Sequence, residues 1–304
     1  MRTRYTIVNR KLVAADSDSC EVTMFVNPDE MERKYLLADL KLDEHTLASA
    51  LDPDEISRME FEPEHVAVIF KRPKNYSAEE QFLFKVGSVG AYLFKERLVI
   101  VTADDSGLIE DIPQIPAFSP GGLILKMIYR SIVHFREHLK IISRISDELQ
   151  KKINTALENR HLINMFTLQT SLVYYLNSLN SNGALLEKLR NNAAKIGLTT
   201  EELEILDDTL IENNQCMKQA QIYSDILAGL MDARASIVSN NLNVLMKTLT
   251  IITIAIMTPT LVVSAFSMNV GIPMQHHPYA FWIIMGMALL AMFGFLAFLR
   301  IKRW

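Results

Sequence analysis

MKTLTIITIAIMTPTLVVSAFSMN, residues 246–269, is the stretch from which the rest of the chain is read. From Thr248 to Leu299 there is no Asp, Glu, Lys or Arg, a run of 52 residues. A single membrane-spanning helix needs about 20 mostly apolar residues. Pro273 and the polar group Gln275-His276-His277-Pro278 interrupt the run near its middle. Two spanning helices are therefore expected, about 248–266 and 279–299, joined by an external loop over 267–278.

The first span is not uniformly apolar. Positions that step by 7, 4 or 3 lie on one helix face, and here they read Asp225, Asp232, Ser236, Ser239, Asn243, Met246, Thr250, Thr253, Met257, Thr260, Ser264 and Ser267. The other faces are mostly Leu, Ile, Val and Ala. A stripe with this period keeps facing one axis when several copies supercoil left-handed. Lipid cannot satisfy polar groups, so the stripe points to a wet axis. The other reading is local: Ser and Thr in spanning helices bond back to their own carbonyls or hold neighbouring helices.

At 304 residues the chain has room for two soluble subdomains beside the membrane part. Its formal net charge of −4 is mild, and nucleic acid is not expected as a partner. Cys20 and Cys216 are too few and too far apart for a disulfide framework or a metal knuckle, and they fit a reducing compartment. The opening MRTRYTIVNRKLVAAD has no apolar core of the signal-peptide type. An N-terminal domain in the cytoplasm is therefore expected, and two spans return the C-terminus to the same side of the cell (inner) membrane. Arg300, Lys302 and Arg303 at the end agree with the positive-inside rule, as does a loop without Lys or Arg.

Residues 1–118 read as an α/β domain. Strands are predicted near 5–8, 22–26, 64–70, 82–86 and 97–102, with helices from Pro28 to about Leu40 and from Asp43 to about Leu51. Gly87 and Gly90 are not followed by the Lys-Ser/Thr of a phosphate loop, so ATP-driven transport has no support. Residues 104–121, rich in Asp, Gly and Pro, read as a connector. From Gly121 to Thr258 there is no proline. Helices are predicted over about 120–158, 160–180 and 184–194, and a last one opens at Thr199 with Glu202 three residues on. No strong stop follows until after Asn269, which makes that helix about 65–70 residues, on the order of 100 Å. A rod of that length implies packing against copies of itself. The helical domain and stalk thus cover 119–247, and the membrane domain 248–304.

His134-Phe-Arg-Glu137-His138 fits the H-x-x-E-H pattern of an inverted zinc peptidase. Its surroundings alternate Ile, Leu and Arg like an ordinary packing helix, and a solvated or interface His pair is the competing explanation. His276 and His277 in the loop keep zinc, cobalt and nickel open as ions.

The run Asn243, Met246-Lys247, Leu249-Thr250, Pro259 and Ser267-Met268-Asn269, closed by Arg300, Lys302 and Arg303, resembles the CorA family of divalent-cation channels. That family carries Asn, Met-Lys, an apolar span with a central Pro, then Gly-Met-Asn, a short loop, a second span and a basic tail. The motifs cover about 232–304 and the layout covers the whole chain. Two departures stand out: Ser267 replaces the signature Gly, and the loop lacks the acid often found after the signature.

The resemblance implies a funnel-shaped homopentamer in the bilayer, with no covalently bound cofactor, that passes hydrated Mg²⁺, Co²⁺ or Ni²⁺ down the membrane potential. It implies a selectivity filter at Ser267, Met268 and Asn269, with Asn269 forming a carboxamide ring. Thr250, Thr253, Met257 and Thr260 would line the pore and Asn243 its inner end. Met246 and Leu249 would be the apolar gate. Asp232 would form an acidic ring at the cytosolic exit, or act as a solvated stalk residue. Arg300, Lys302 and Arg303 would form a basic collar. The family senses internal Mg²⁺ through acidic pairs. Asp208 matches the stalk member, and Ser49 stands where the other acid falls, with Asp52, Asp54 and Glu55 close by. Weaker or relocated inhibition by metal is expected. A proton-coupled Zn²⁺ transporter of the same superfamily, or a non-conducting membrane-anchored sensor or scaffold, are the alternatives.

Overall fold

Where the sequence is densest in Val, Ile and Phe, the chain forms strands buried on both faces. The computed structural model describes residues 2–8, 11–15, 20–76, 82–104, 119–155, 159–271 and 277–302. Its strands are β1 (Arg2–Val8), β2 (Lys11–Ala14), β3 (Val22–Val26), β4 (Arg58–Phe61), β5 (Val66–Pro73), β6 (Val86–Leu93) and β7 (Leu98–Thr102). Its helices are α1 (Glu30–Ala38), α2 (Glu44–Leu51), α3 (Pro120–Thr155), α4 (Asn159–Asn191), α5 (Ala193–Ile196), α6 (Thr200–Phe266) and α7 (Ala280–Ile301). They divide into two units, Met1–Met231 and Asp232–Trp304.

In the first unit the strands form one sheet in the order β2-β1-β3-β7-β6-β5-β4. Every neighbouring pair is antiparallel except β3 with β7. Alternate residues feed two cores. Leu98 and Ile100 of β7 join Val68 and Phe70 of β5 against α3, α4 and the first part of α6. Val99 and Val101 face the other way, with Leu36 of α1 and with Leu47 and Ala50 of α2. Each fully buried Leu or Ile contributes about 1.5–3 kcal/mol.

The helix starts are set locally. Asp29 and Glu32 form a capping box at α1, and Asp43 caps α2 through the Thr46 amide. At α6 the expected cap is present: Glu202 N donates to Thr199 Oγ1 at 3.3 Å, and Thr199 N to Glu202 Oε2 at 2.9 Å. Glu202 is fully buried, and Ser119 Oγ donates to its other oxygen at 2.6 Å.

Two expectations are corrected, and two strands were not foreseen. The helices expected at 160–180 and 184–194 are one helix, α4, which runs through Gly183. A Cβ at Gly183 would meet Asn213 Nδ2 of α6 at 3.0 Å, so this glycine marks a close helix approach rather than a break. The strand expected at 82–86 begins only at Val86, because the Phe84 amide donates to Ser171 Oγ of α4 instead of a ladder partner. Strands β2 and β4 carried too little apolar signal to be expected. The 105–118 part of the connector lies outside the described residues.

The second unit holds the rest of α6 and α7. Both helices are long and apolar enough to cross a membrane. Pro259 sits inside α6 and removes one donor from its ladder.

Candidate functional site

On α6 beyond Arg234, partial cover falls on Ile251, Ala255, Thr258, Pro259, Val262 and Phe266. These recur at helical spacing, as do the covered Ile284, Met287, Ala288, Ala291 and Phe295 of α7. The two helices of the unit shade one another along these faces. The stripe lies about half a turn away. Asp232, Asn243, Met246, Leu249, Thr250, Thr253, Met257, Thr260, Ser264 and Ser267 are all exposed. Met246 and Leu249, at 65% exposure each, are large apolar side chains with nothing over them within the unit.

The hydroxyls of the stripe are already used as donors. Thr250 Oγ1 donates to Met246 O at 2.8 Å, Thr253 Oγ1 to Leu249 O at 2.8 Å, and Thr260 Oγ1 to Ile256 O at 2.7 Å. This is the local satisfaction that competed with the wet-axis reading, and it changes what the stripe offers. A hydroxyl whose proton is held by the backbone presents lone pairs outward, as an acceptor. Water bound to a cation turns its hydrogens away from the ion, so its second shell needs acceptors. The uncovered face has the right polarity for a hydrated cation and costs the helix no unsatisfied donor.

Helix α6 ends at Phe266, and Ser267, Met268 and Asn269 follow it directly, all exposed. Ser267 folds back on the last turn: its amide and its hydroxyl both donate to Ser264 O, at 3.1 and 2.9 Å. Asn269 follows three residues after the C-terminal, negative end of the α6 dipole, an end that favours cations. His277 Nδ1 accepts from the Tyr279 amide at 3.2 Å at the entry to α7. Pro273, Gln275 and His276 lie outside the described residues, as does Arg303. Arg300 closes α7, and the ammonium of Lys302 rests 5.6 Å from the centre of the Phe298 ring.

In the first unit Asp208 is exposed on α6, beside Asp207, which pairs with Arg190 at 2.9 Å. Ser49, by contrast, is buried: it donates to His45 O at 2.8 Å and accepts from Arg58 Nη2 at 2.9 Å. Arg58 also pairs with Glu55 and, at 2.7 Å, with Glu60. Behind the same loop Lys71 Nζ donates to Pro53 O at 2.6 Å and Ser88 Oγ at 2.8 Å. Burial pushes this ammonium down to about 8, and Asp52, Asp54 and Glu55 oppose that shift. Of the acids near Ser49, Glu55 is thus paired with Arg58, while the Lys71 ammonium bonds the loop's Pro53 carbonyl. Sequence reading missed Arg58 and Lys71; an Arg and a Lys on neighbouring strands carry no motif that would have flagged them.

His138 of the H-x-x-E-H run is core and His134 is half-buried, which corrects the expectation of a solvated or interface pair. His138 is buried, with Nδ1 2.6 Å from the Tyr175 hydroxyl and its ring edge-on to Phe84. Burial and the neighbouring His134 hold it down at about 4, while burial raises Tyr175, so the phenol donates to a neutral imidazole. Glu137 is exposed on another face. Among the described residues, one copy of the chain gathers no group of three His, Cys, Asp or Glu side chains able to hold a metal.

Comparison with known proteins bears on this geometry. A family model described as "CorA-like Mg2+ transporter protein" matches residues 23–303. The cobalt/magnesium transport protein CorA of Methanocaldococcus jannaschii is 24% identical over 290 residues, covering 91% of this chain and 89% of that one. The complete structure of the M. jannaschii CorA magnesium transporter superposes with a TM-score of 0.83 at 22% identity, covering 98% of this chain and 96% of that one. The full-length CmaX protein gives 0.76 at 13% identity, over 98% and 97% of the two chains. At these identities the structural likeness speaks to the fold.

Proposed function

The chain belongs to the CorA-like Mg2+ transporter family, and from that premise we propose that it forms a homopentameric channel for hydrated divalent cations. Mg²⁺ leads as the ion, with Co²⁺ and Ni²⁺ also carried. The observation behind this reading is the uncovered face of α6, whose hydroxyls present acceptors and whose end carries Asn269. Mg²⁺ sheds its water reluctantly, so a site that binds the intact shell is preferred over one that strips it.

Five copies of α6 would turn this face to a common axis. Asn269 would ring the outer mouth with Ser267 and Met268, and Thr260, Met257, Thr253 and Thr250 would line the passage. Asn243 would close its inner end. Met246 and Leu249 would gate by dewetting. Asp232 would ring the cytosolic exit, and Arg300, Lys302 and Arg303 would form the basic collar at the inner surface. Both termini lie in the cytoplasm on this reading, with 1–118 and 119–247 as the cytosolic α/β and helical parts and 248–304 in the membrane. A potential of about 100 mV is worth about 2.3 kcal/mol per charge, or about 4.6 for a divalent ion, which drives influx without ATP.

Flux into proteoliposomes tests this, with Mg²⁺, Co²⁺, Ni²⁺ and Zn²⁺ compared with and without a pH gradient. The expected result is Mg²⁺ entry that follows the potential and is lost in Asn269→Ala while the pentamer stays intact. Flux of Zn²⁺ that requires the pH gradient would instead establish the proton-coupled zinc transporter. No flux of any ion would leave a membrane-anchored sensor or scaffold.

A further inference from the structure

Within the second unit, a groove of about 840 Å³ opens between α6 and α7. Lys247, Ile251 and Ile254 line it from α6 at i, i+4 and i+7, with Thr250 of the stripe beside them; Phe295, Leu299 and Lys302 line it from α7 at the same spacing, with Phe298. The helices run in opposite senses here, so both ammoniums stand at one end and the apolar wall runs about 10 Å away from them. Phe298, which also lines the groove, has its ring centre 5.6 Å from the Lys302 ammonium.

The charge of the unit says what kind of molecule fits. From residue 232 to 304 the only acidic side chain is Asp232, against Arg234, Lys247, Arg300, Lys302 and Arg303. Asp232 lies 15 residues before Lys247, about 22 Å along the helix. A neighbouring copy would bring the same cations to the same level and add repulsion. A soluble anion would leave the apolar wall wet. An amphiphile with an anionic head and hydrocarbon chains satisfies both ends, and basic pockets between spanning helices bind such headgroups.

We propose that this groove holds one anionic phospholipid per chain, with its phosphate between Lys247 and Lys302 and an acyl chain along Ile251, Ile254, Phe295 and Leu299. The inference rests on α6 and α7 crossing the bilayer and is independent of conduction. The bound lipid would splint the two helices from the level of the proposed gate outward.

Native mass spectrometry of the full-length protein, with added phosphatidylglycerol or phosphatidylcholine of equal chain length, tests it. The expected result is one phosphatidylglycerol retained per chain and phosphatidylcholine released. Lys247→Gln with Lys302→Gln weakens phosphatidylglycerol binding at least tenfold, and Arg300→Gln changes it less than twofold. Should the double variant fail to assemble, Ile254→Trp, which fills the groove and keeps its charges, is expected to expel the lipid. Equal retention of the two lipids, equal loss in Arg300→Gln, or retention unchanged by groove variants would overturn the proposal. So would quantitative cross-linking of Ile251→Cys between copies, which would put a second chain in the groove. Lipid retained without ion flux leaves this proposal standing and defeats the channel reading; flux without retained lipid does the reverse.

Discussion

Nη2 of Arg58 donates to the hydroxyl of Ser49 at 2.9 Å, at the position where the resemblance places a regulatory carboxylate. The nearby acid Glu55 is committed to the same guanidinium, and Lys71 stands behind the loop. An internal divalent ion would have to compete with the Arg58 guanidinium for these oxygens. Closure by internal Mg²⁺ is therefore expected to need more metal than a site with open carboxylates would. In uptake assays against rising internal Mg²⁺, Asp208→Ala should move closure to about fivefold higher concentration, the scale of one exposed charge contact. Coincident curves would remove Asp208 from the gate.

Acceptor oxygen on the stripe can be tested one residue at a time. Thr253→Val keeps the side chain's shape and removes its oxygen. Mg²⁺ flux should fall by about fivefold, the equivalent of about 1 kcal/mol for one hydrogen bond. Thr253→Ser, which can make the same bond to Leu249 O, should restore most of it. Equal flux in all three proteins would mean that the permeating shell does not touch this position.

Acid should weaken the first unit through His138. Its folded value, about 4, lies below the ordinary imidazole value of 6.5. Between those values the unfolded chain holds a proton that the folded chain rejects, so stability is full above pH 6.5 and drains away as pH falls toward 4. Denaturation midpoints followed by near-ultraviolet circular dichroism at a series of pH values should show this slope. The slope should flatten in His138→Phe, even if that protein is less stable throughout.

Asn182 of α4 is a buried bracket for β5. Its Oδ1 accepts from Lys71 N at 2.9 Å and from Ser57 Oγ at 2.7 Å, and its Nδ2 donates to Lys71 O at 2.9 Å. Asn182→Leu would leave a backbone donor and acceptor unpaired in the core. The expected loss is about 2–6 kcal/mol, from about 1–3 for each of the two buried groups left unsatisfied. A denaturant midpoint unchanged by the substitution would show that water or a shifted strand replaces the bracket.

Much of this molecule is written in features that a few neighbouring residues settle together. The charge-free run from Thr248 to Leu299, the stripe from Asp225 to Ser267 and the Thr199–Glu202 cap depend on spacing along one helix. They foretold the two spans and the 67-residue α6. The tertiary structure decided what depends on residues far apart in the chain. Gly183 continues a helix because Asn213 packs against it, and Phe84 leaves the sheet because Ser171 takes its amide. The Ser49 hydroxyl and Glu55 are engaged because strand β4 brings Arg58 to them, and the Pro53 carbonyl because β5 brings Lys71. The stripe is open because α7 covers the opposite face of α6. Periodicity fixes which side chains share a face of a helix; only packing fixes what that face meets, because distant groups compete for the same surface and the same hydrogen bonds.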